Sequence, residues 1–327
     1  MSLPEILRTP LTVPVVASPM FIASGPKLVA AQCQAGVIGS FPALNARPAS
    51  QLGDWLDEIV ESNAAYATAN PDAVVAPFAV NQIVHKSNAR LDEDLATIVE
   101  HKVPIVITSL GARPDVNEAV HSYGGIVLHD VVNDLFAHKA VERGADGLIA
   151  VAAGAGGHAG TLSPFALIRE IREWFDGPLL LSGAIAHGSS ILAALAAGAD
   201  FAYVGSAFLA TDEANVIDDY KDMVVGSRAD DVIYSSTFTG VHGNYLRGSI
   251  SRHGLDPDNL PKPTSGPDPL EGGLGDIKAW RDVWGSGQGI GSVASRGTVA
   301  QTVDRLAAEY REARDGLLDR VGATATV

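Results

Sequence analysis

Residues 143–211 read RGADGLIAVAAGAGGHAGTLSPFALIREIREWFDGPLLLSGAIAHGSSILAALAAGADFAYVGSAFLAT. Two consecutive apolar runs in this stretch end in glycine clusters, and each feeds a helix-like segment. The first closes in Ala155-Gly156-Gly157-His158-Ala159-Gly160, which puts one imidazole in a loop that backbone or ligand can approach closely. Leu179 to Leu181 then lead into Ser182-Gly183-Ala184, a helical run follows from Ser189 to Ala197, and Phe201 to Val204 lead into Gly205-Ser206. Two successive strand ends with glycines at helix starts supply convergent backbone N–H donors, the pattern of a phosphate site.

Working outward, strand candidates fall at Val13–Ser18, Val37–Phe41, Val74–Val80, Val103–Thr108, Ile126–His129, Gly147–Val151, Pro178–Ser182 and Phe201–Val204. Helical spacing separates them, as at Leu52, Trp55, Leu56 and Ile59, and again at Leu91, Leu95, Ile98 and Val99. Alternating β and α units predict an α/β fold, a (β/α)8 TIM barrel. A doubly wound open sheet is the structural alternative, but it carries its glycine-rich phosphate loop after the first strand. Here that strand ends in Ala17-Ser18-Pro19-Met20, and the glycines follow the later strands, where barrels place a phosphate.

The expected organisation is a barrel over residues 1–211, a capping or substrate segment over 212–297, and a C-terminal helix over 298–327 that packs back on the barrel. This loop-rich and helical extension is expected to cap the active-site face. Gly254 to Asp276 lacks apolar periodicity and reads as a long loop. Thr298 with Gln301 forms a capping-box candidate ahead of a stripe of Val299, Val303, Leu306 and Tyr310, which predicts a helix over 298–317.

Apolar residues make up 46% of the 327-residue chain and aromatics only 6%, which suits aliphatic parallel strands under alanine-rich helices. A net charge of -15 disfavours general binding to nucleic acid or anionic lipid. Cys33 is the single cysteine and reads as a buried helix thiol, so neither an internal disulfide nor a cysteine metal cluster is expected. No leader pattern or spanning apolar run stands out, and a cytoplasmic location is the expectation. Self-association is left open.

His158 is the leading catalytic candidate, because it follows a strand end on the face where barrels do their chemistry and neighbours the phosphate site. His129, His187 and His242 read as core, cap or loop residues. No HExxH, His-x-His or carboxylate cluster suggests a metal, and GxSxG is absent.

At this point the chain resembles the nitronate monooxygenase (2-nitropropane dioxygenase) family. The resemblance rests on Ala17-Ser-Pro-Met20, Val80-Asn81, Ala155-Gly-Gly-His158, Ser182-Gly183-Ala184, Gly205-Ser-Ala-Phe-Leu-Ala210 and Gly285-Ser-Gly-Gln-Gly289. It implies an FMN-dependent barrel that oxidises alkyl nitronates with dioxygen to a carbonyl compound and nitrite. It further implies that Met20 lies against the flavin and that Asn81 hydrogen-bonds it. Gly157, Ser182, Gly183, Ala184, Gly205 and Ser206 would belong to the FMN site, with Gln288 and Gly289 closing over it and His158 catalytic. Two departures stand out. Val151-Ala-Ala-Gly154 replaces a common Gln-Gly-x-Glu, and Asp130 occupies a position that is often lysine.

The alternatives are an NAD(P)H-dependent FMN reductase of the same family, acting on quinones or enoyl thioesters, and a non-enzymatic flavin or phosphate-ligand binder. An IMP-dehydrogenase-like barrel needs a catalytic loop cysteine that this chain lacks.

Overall fold

The computed structural model describes residues 3–263, 268, 270 and 272–324. Its main sheet holds β1 (Val15–Ala17), β2 (Gly39–Pro42), β3 (Phe78–Ile83), β4 (Ile105–Ser109), β5 (Ile126–Val131), β6 (Gly147–Val151), β7 (Leu179–Ser182) and β8 (Phe201–Val204). Neighbours run parallel in the order β1-β8-β7-β6-β5-β4-β3-β2. The two ends meet through a parallel bridge between Val16 and Ile38, where the Ala17 N–H donates to the Ile38 carbonyl at 2.8 Å. The fold is a TIM barrel, with every expected strand present. The third begins later than its apolar run, because Pro77 has no N–H to give to a ladder.

The interval helices are α1 (Pro26–Gln34), α2 (Gln51–Ala69), α3 (Leu91–Glu100), α4 (Pro114–His121), α5 (Asp134–Glu142), α6 (Pro164–Arg172) and α7 (Gly188–Ala197). Strand period two sorts their partners. On β6, Leu148 and Ala150 join the layer beneath the helices, while Ile149 and Val151 join the barrel interior with Ile107, Leu128, Leu180 and Tyr203. Cys33 is fully buried in α1, and burial pushes its thiol up to about 11.

The last helix, α8 (Val299–Thr324), starts at the expected capping box. The Thr298 N–H donates to Gln301 Oε1 at 2.9 Å, and the Gln301 N–H donates to Thr298 Oγ1 at 3.2 Å. It runs beyond residue 317 to Thr324 and packs against α7 and α1 through Val299, Val303 and Leu306. Residues 212–297 intervene between β8 and this helix. They include a helix at Asp218–Gly226 and an antiparallel pair, Val232–Ser235 with Gly243–Leu246.

The stretch expected to be a loop, 254–276, is not wholly irregular: Gly273–Leu274 pairs with Ile277–Lys278 in a hairpin. Residues 264–267, 269 and 271 of that stretch lie outside the described residues. Among the described residues no helix is long and apolar enough to cross a membrane.

Ile149→Ala should cost about 2–5 kcal/mol of stability by opening a cavity in the barrel interior. Thermal or urea denaturation against the parent protein measures it.

Candidate active site

The C-terminal strand ends open into one cavity beneath the 212–297 segment. Met20 reaches it from the turn after β1, Asn81 from β3, and Ser109 from β4; Asp130 lies in β5. Gly154 to His158 follow β6, Ser182 to Ile185 follow β7, and Gly205 and Ser206 follow β8. Trp280, Gly285, Ser286, Gly287 and Gly289 close it from the other side. Every residue anticipated for the site lines this cavity except Gln288, which is exposed. Its contribution is structural: its N–H donates to the Gly154 carbonyl at 2.8 Å.

The Met20 turn is pinned by Asn45. Asn45 Nδ2 donates to the carbonyls of Met20 and Ser24, and its Oδ1 accepts from the Ile22 N–H. Met20 itself donates its N–H to Ser24 Oγ. A methionine thioether is thereby held at the cavity wall.

The anion-binding geometry differs in part from the expected one. α7 does not present a free N-terminus: the Gly188 N–H donates to Glu309 and the Ser189 N–H to His187 Nδ1. What remains are the N–H groups of Gly205 and Ser206, which meet no acceptor among the described residues, whereas Gly183 continues the ladder toward the Tyr203 carbonyl. Ser206 Oγ accepts from the Gly287 N–H at 2.8 Å and from Ser286 Oγ at 3.1 Å, so its own proton is available to a ligand. A Cβ on Gly205 would make ordinary van der Waals contact with Ser18 and Met20, at 3.4 Å or more, whereas one on Gly183, φ 142°, would lie 2.8 Å from the Ala153 carbonyl. These groups form a cradle for one phosphate-like anion.

The 285–289 segment reaches the cradle by backbone-on-backbone packing. A Cβ on Gly287 would lie 2.8 Å from the Gly154 carbonyl, and one on Gly289 2.7 Å from Ala184 backbone atoms. Glycine is required there by close approach.

His158 is set by partners that its own loop does not contain. Gly157–His158 pairs antiparallel with Gly243–Asn244, and His158 Nε2 lies 3.0 Å from Thr239 Oγ1. With the Thr239 hydroxyl turned to the Val241 carbonyl, 2.9 Å away, His158 donates through Nε2–H. Nδ1 is left with the free lone pair. The ring stands edge-on to Trp280, with centroids 5.2 Å apart at 89°. Burial lowers its pKa to about 4, which leaves the imidazole uncharged at neutral pH and a weaker base than a solvated histidine.

Opposite runs a polar chain that sequence reading missed. Asn81 Nδ2 donates to the Ile107 carbonyl at 3.0 Å and to Ser109 Oγ at 2.7 Å, leaving Asn81 Oδ1 as an acceptor. The Ser109 hydroxyl and the Leu110 N–H lie near Asp130 and favour its charged form. Burial nevertheless raises the Asp130 carboxyl to about 6, and that charge together with burial lifts the neighbouring Tyr203 phenol well above its ordinary value. Asp130 stood out in the sequence only as a departure from a family pattern. Thr239 and Trp280 gave no local signal, being distant from His158 along the chain. The other histidines are structural. His129 is buried against Thr108, His187 caps α7, and His242 stacks on Tyr234.

A family model for nitronate monooxygenase matches residues 5–309. The chain belongs to the nitronate monooxygenase family. Its members are flavin-dependent oxidoreductases, which makes this protein an enzyme and sets aside the non-enzymatic alternative. Among relatives in this family, a nitronate monooxygenase of Paraburkholderia phytofirmans is 27% identical, with 78% of each chain covered. A protein of Mycobacterium tuberculosis described as a monooxygenase is 31% identical over 172 residues, 52% of this chain and 44% of that one. The chain thus spans less than half of that relative. Nitroalkane oxidase from Streptomyces ansochromogenes superposes with a TM-score of 0.78 at 24% identity, covering 95% of this chain and 100% of that one. FabK from Thermotoga maritima gives 0.76 at 23%, with 97% of each covered. Those two likenesses speak to the shared fold.

The raised Asp130 carboxyl makes stability depend on pH with a defined sign. The folded state binds the proton more tightly than the unfolded chain, so this stabilisation is complete below about pH 4 and lost as pH rises through about 6. Asp130→Asn should therefore gain stability relative to the parent between those limits. Thermal midpoints of both proteins at matched pH test this, and a constant difference across the range would refute it.

Proposed function

We propose that this protein oxidises small alkyl nitronates with dioxygen to a carbonyl compound and nitrite, using FMN. The observation that carries the reading is a neutral imidazole with a free Nδ1 in the same cavity as a cradle for one phosphate. That cradle fits FMN: Gly205 offers an N–H group, Ser206 adds an N–H and a hydroxyl, and Met20 provides an apolar wall. Asn81 Oδ1 would accept from a ring N–H. No second diphosphate fingerprint accompanies the cradle, which favours FMN over FAD. When bound, FMN supplies the two-electron redox chemistry, while the protein supplies orientation and proton handling.

His158 would take the α-proton of a neutral nitroalkane on Nδ1 while Nε2–H stays anchored to Thr239. Phe21, Ile185, Leu209 and Trp280 would hold the alkyl group. A cytoplasmic location belongs to the same proposal. The NAD(P)H-dependent reductase reading differs in its electron donor. Anaerobic mixing with a nitronate, and separately with NADH, distinguishes the two by which one bleaches the flavin.

The purified protein should release FMN on denaturation, and Gly205→Val should lower flavin content because its side chain would fill the cradle. FAD in the supernatant, or full occupancy in the variant, would remove this assignment. His158→Ala should retain flavin yet slow turnover of neutral nitroalkane by roughly 10² to 10⁴. Preformed nitronate has already lost the proton, so its turnover should fall much less. Equal losses with both substrates would mean that His158 positions or stabilises charge rather than accepting a proton.

A further inference from the structure

The turn that carries Met20 to the cavity is held from outside it. Ile22 sits in that turn with φ 67°, a left-handed backbone that a β-branched residue adopts only when its surroundings impose it. The imposing group is Asn45. Its Oδ1 accepts from the Ile22 N–H at 3.0 Å, and its Nδ2 donates to the Met20 and Ser24 carbonyls at 2.9 and 2.8 Å. Both ends of the amide are spent on this one turn. A side-chain amide can hold a strained turn only where its own backbone is fixed, and Asn45 ends a short 3-10 helix, Ala43–Asn45, just after β2.

One guanidinium grips that segment. Arg90 Nη1 donates to the Ala46 carbonyl at 2.7 Å and Nη2 to the Ala43 carbonyl at 3.3 Å, so the fork spans the backbone on both sides of Asn45. Nη2 also meets Asp94 Oδ1 at 2.7 Å, from a carboxylate that is 1% exposed in the first turn of α3. The Arg90 backbone is anchored as well. Its N–H donates to Asn88 Oδ1 at 3.0 Å, and Asn88 Nδ2 donates to the carbonyl of Ile83, the last residue of β3, at 2.8 Å. A continuous chain of bonds therefore joins the end of β3, which presents Asn81 to the cavity, to the turn after β1, which presents Met20. Arg90 itself is not among the residues lining the cavity. An ion pair with Asp94 needs only a point charge, whereas gripping two carbonyls at once needs a planar fork.

We propose that Arg90 is a positioning residue for the flavin site, acting through Asn45 to hold Met20 at the cavity wall. The inference rests on the reading of the main cavity as the flavin site, while the mechanical link from Arg90 to Met20 stands apart from which ligand fills it. Loss of the fork frees the Asn45 backbone, lets Ile22 relax to negative φ and releases the Met20 turn, so flavin affinity falls while the barrel stays folded.

The test compares Arg90→Lys, Asn45→Ala and the double variant with the parent protein. Lysine keeps a charge opposite the buried Asp94 but cannot hold both carbonyls. Should that variant fail to fold, Arg90→Met combined with Asp94→Leu takes its place, because it removes both charges of the pair together. In the flavin-free protein, hydrogen–deuterium exchange of the Ile22 and Ser24 amides should quicken by about tenfold or more in each single variant, with α3 exchanging as in the parent. Titration of the same proteins with FMN, followed by flavin fluorescence, should show binding about tenfold weaker in each single variant. The double variant should bind no more weakly than Asn45→Ala alone, because the two residues act in one chain. Quickened exchange confined to α3 would make Arg90 a helix anchor and overturn the proposal, as would parental FMN affinity in Arg90→Lys or losses that add in the double variant. If the parent itself binds no FMN, the flavin reading fails separately, and the exchange at Ile22 and Ser24 still decides whether Arg90 holds the Met20 turn.

Discussion

The site depends on one short antiparallel pairing, Gly157–His158 against Gly243–Asn244. A glycine-rich loop after a barrel strand has no inherent conformation. Here the ladder, the Asn244 amide on the Ala155 carbonyl and the Tyr234 hydroxyl on the Ala159 carbonyl fix it from outside the barrel. The same segment brings Thr239 to Nε2 and sets Trp280 at right angles to the ring. The tautomer, orientation and basicity of His158 are therefore properties of the contact between barrel and cap.

Steric closeness does comparable work on the phosphate side. The Gly285–Gly289 strip approaches Gly154 and Ala184 so closely that side chains are excluded, and this brings Ser286 and the Gly287 N–H to Ser206. The cradle owes little to a helix end. α7 spends its first donors on Glu309 and His187, holding the last helix to the barrel instead of holding an anion.

Burial tunes the two titratable groups of the cavity by one cause. Desolvation disfavours charge on either, lowering His158 and raising Asp130. The imidazole is consequently uncharged at neutral pH, and the carboxyl titrates within reach of physiological pH. Each is surrounded by donors or rings rather than by an opposing ion, so a bound ligand at neutral pH meets an uncharged imidazole and an ionised Asp130.

The sequence by itself determined the barrel. Aliphatic runs at β period, separated by helical stripes, have one economical burial solution, and the glycines after the last three strands marked the face where ligands bind. His158, Gly183, Gly205 and Ser206 were legible because each sits beside a strand end, and local spacing fixes that relation. Only the tertiary structure decided what surrounds them. Thr239 and Trp280 come to the site from positions remote in the chain, through an irregular segment with no periodicity to read. The role of Asp130 likewise depended on Ser109 and Tyr203 from neighbouring strands. Contacts of that kind arise from packing across the molecule, where hydrogen-bond satisfaction and desolvation are settled in three dimensions, and linear spacing carries no record of them.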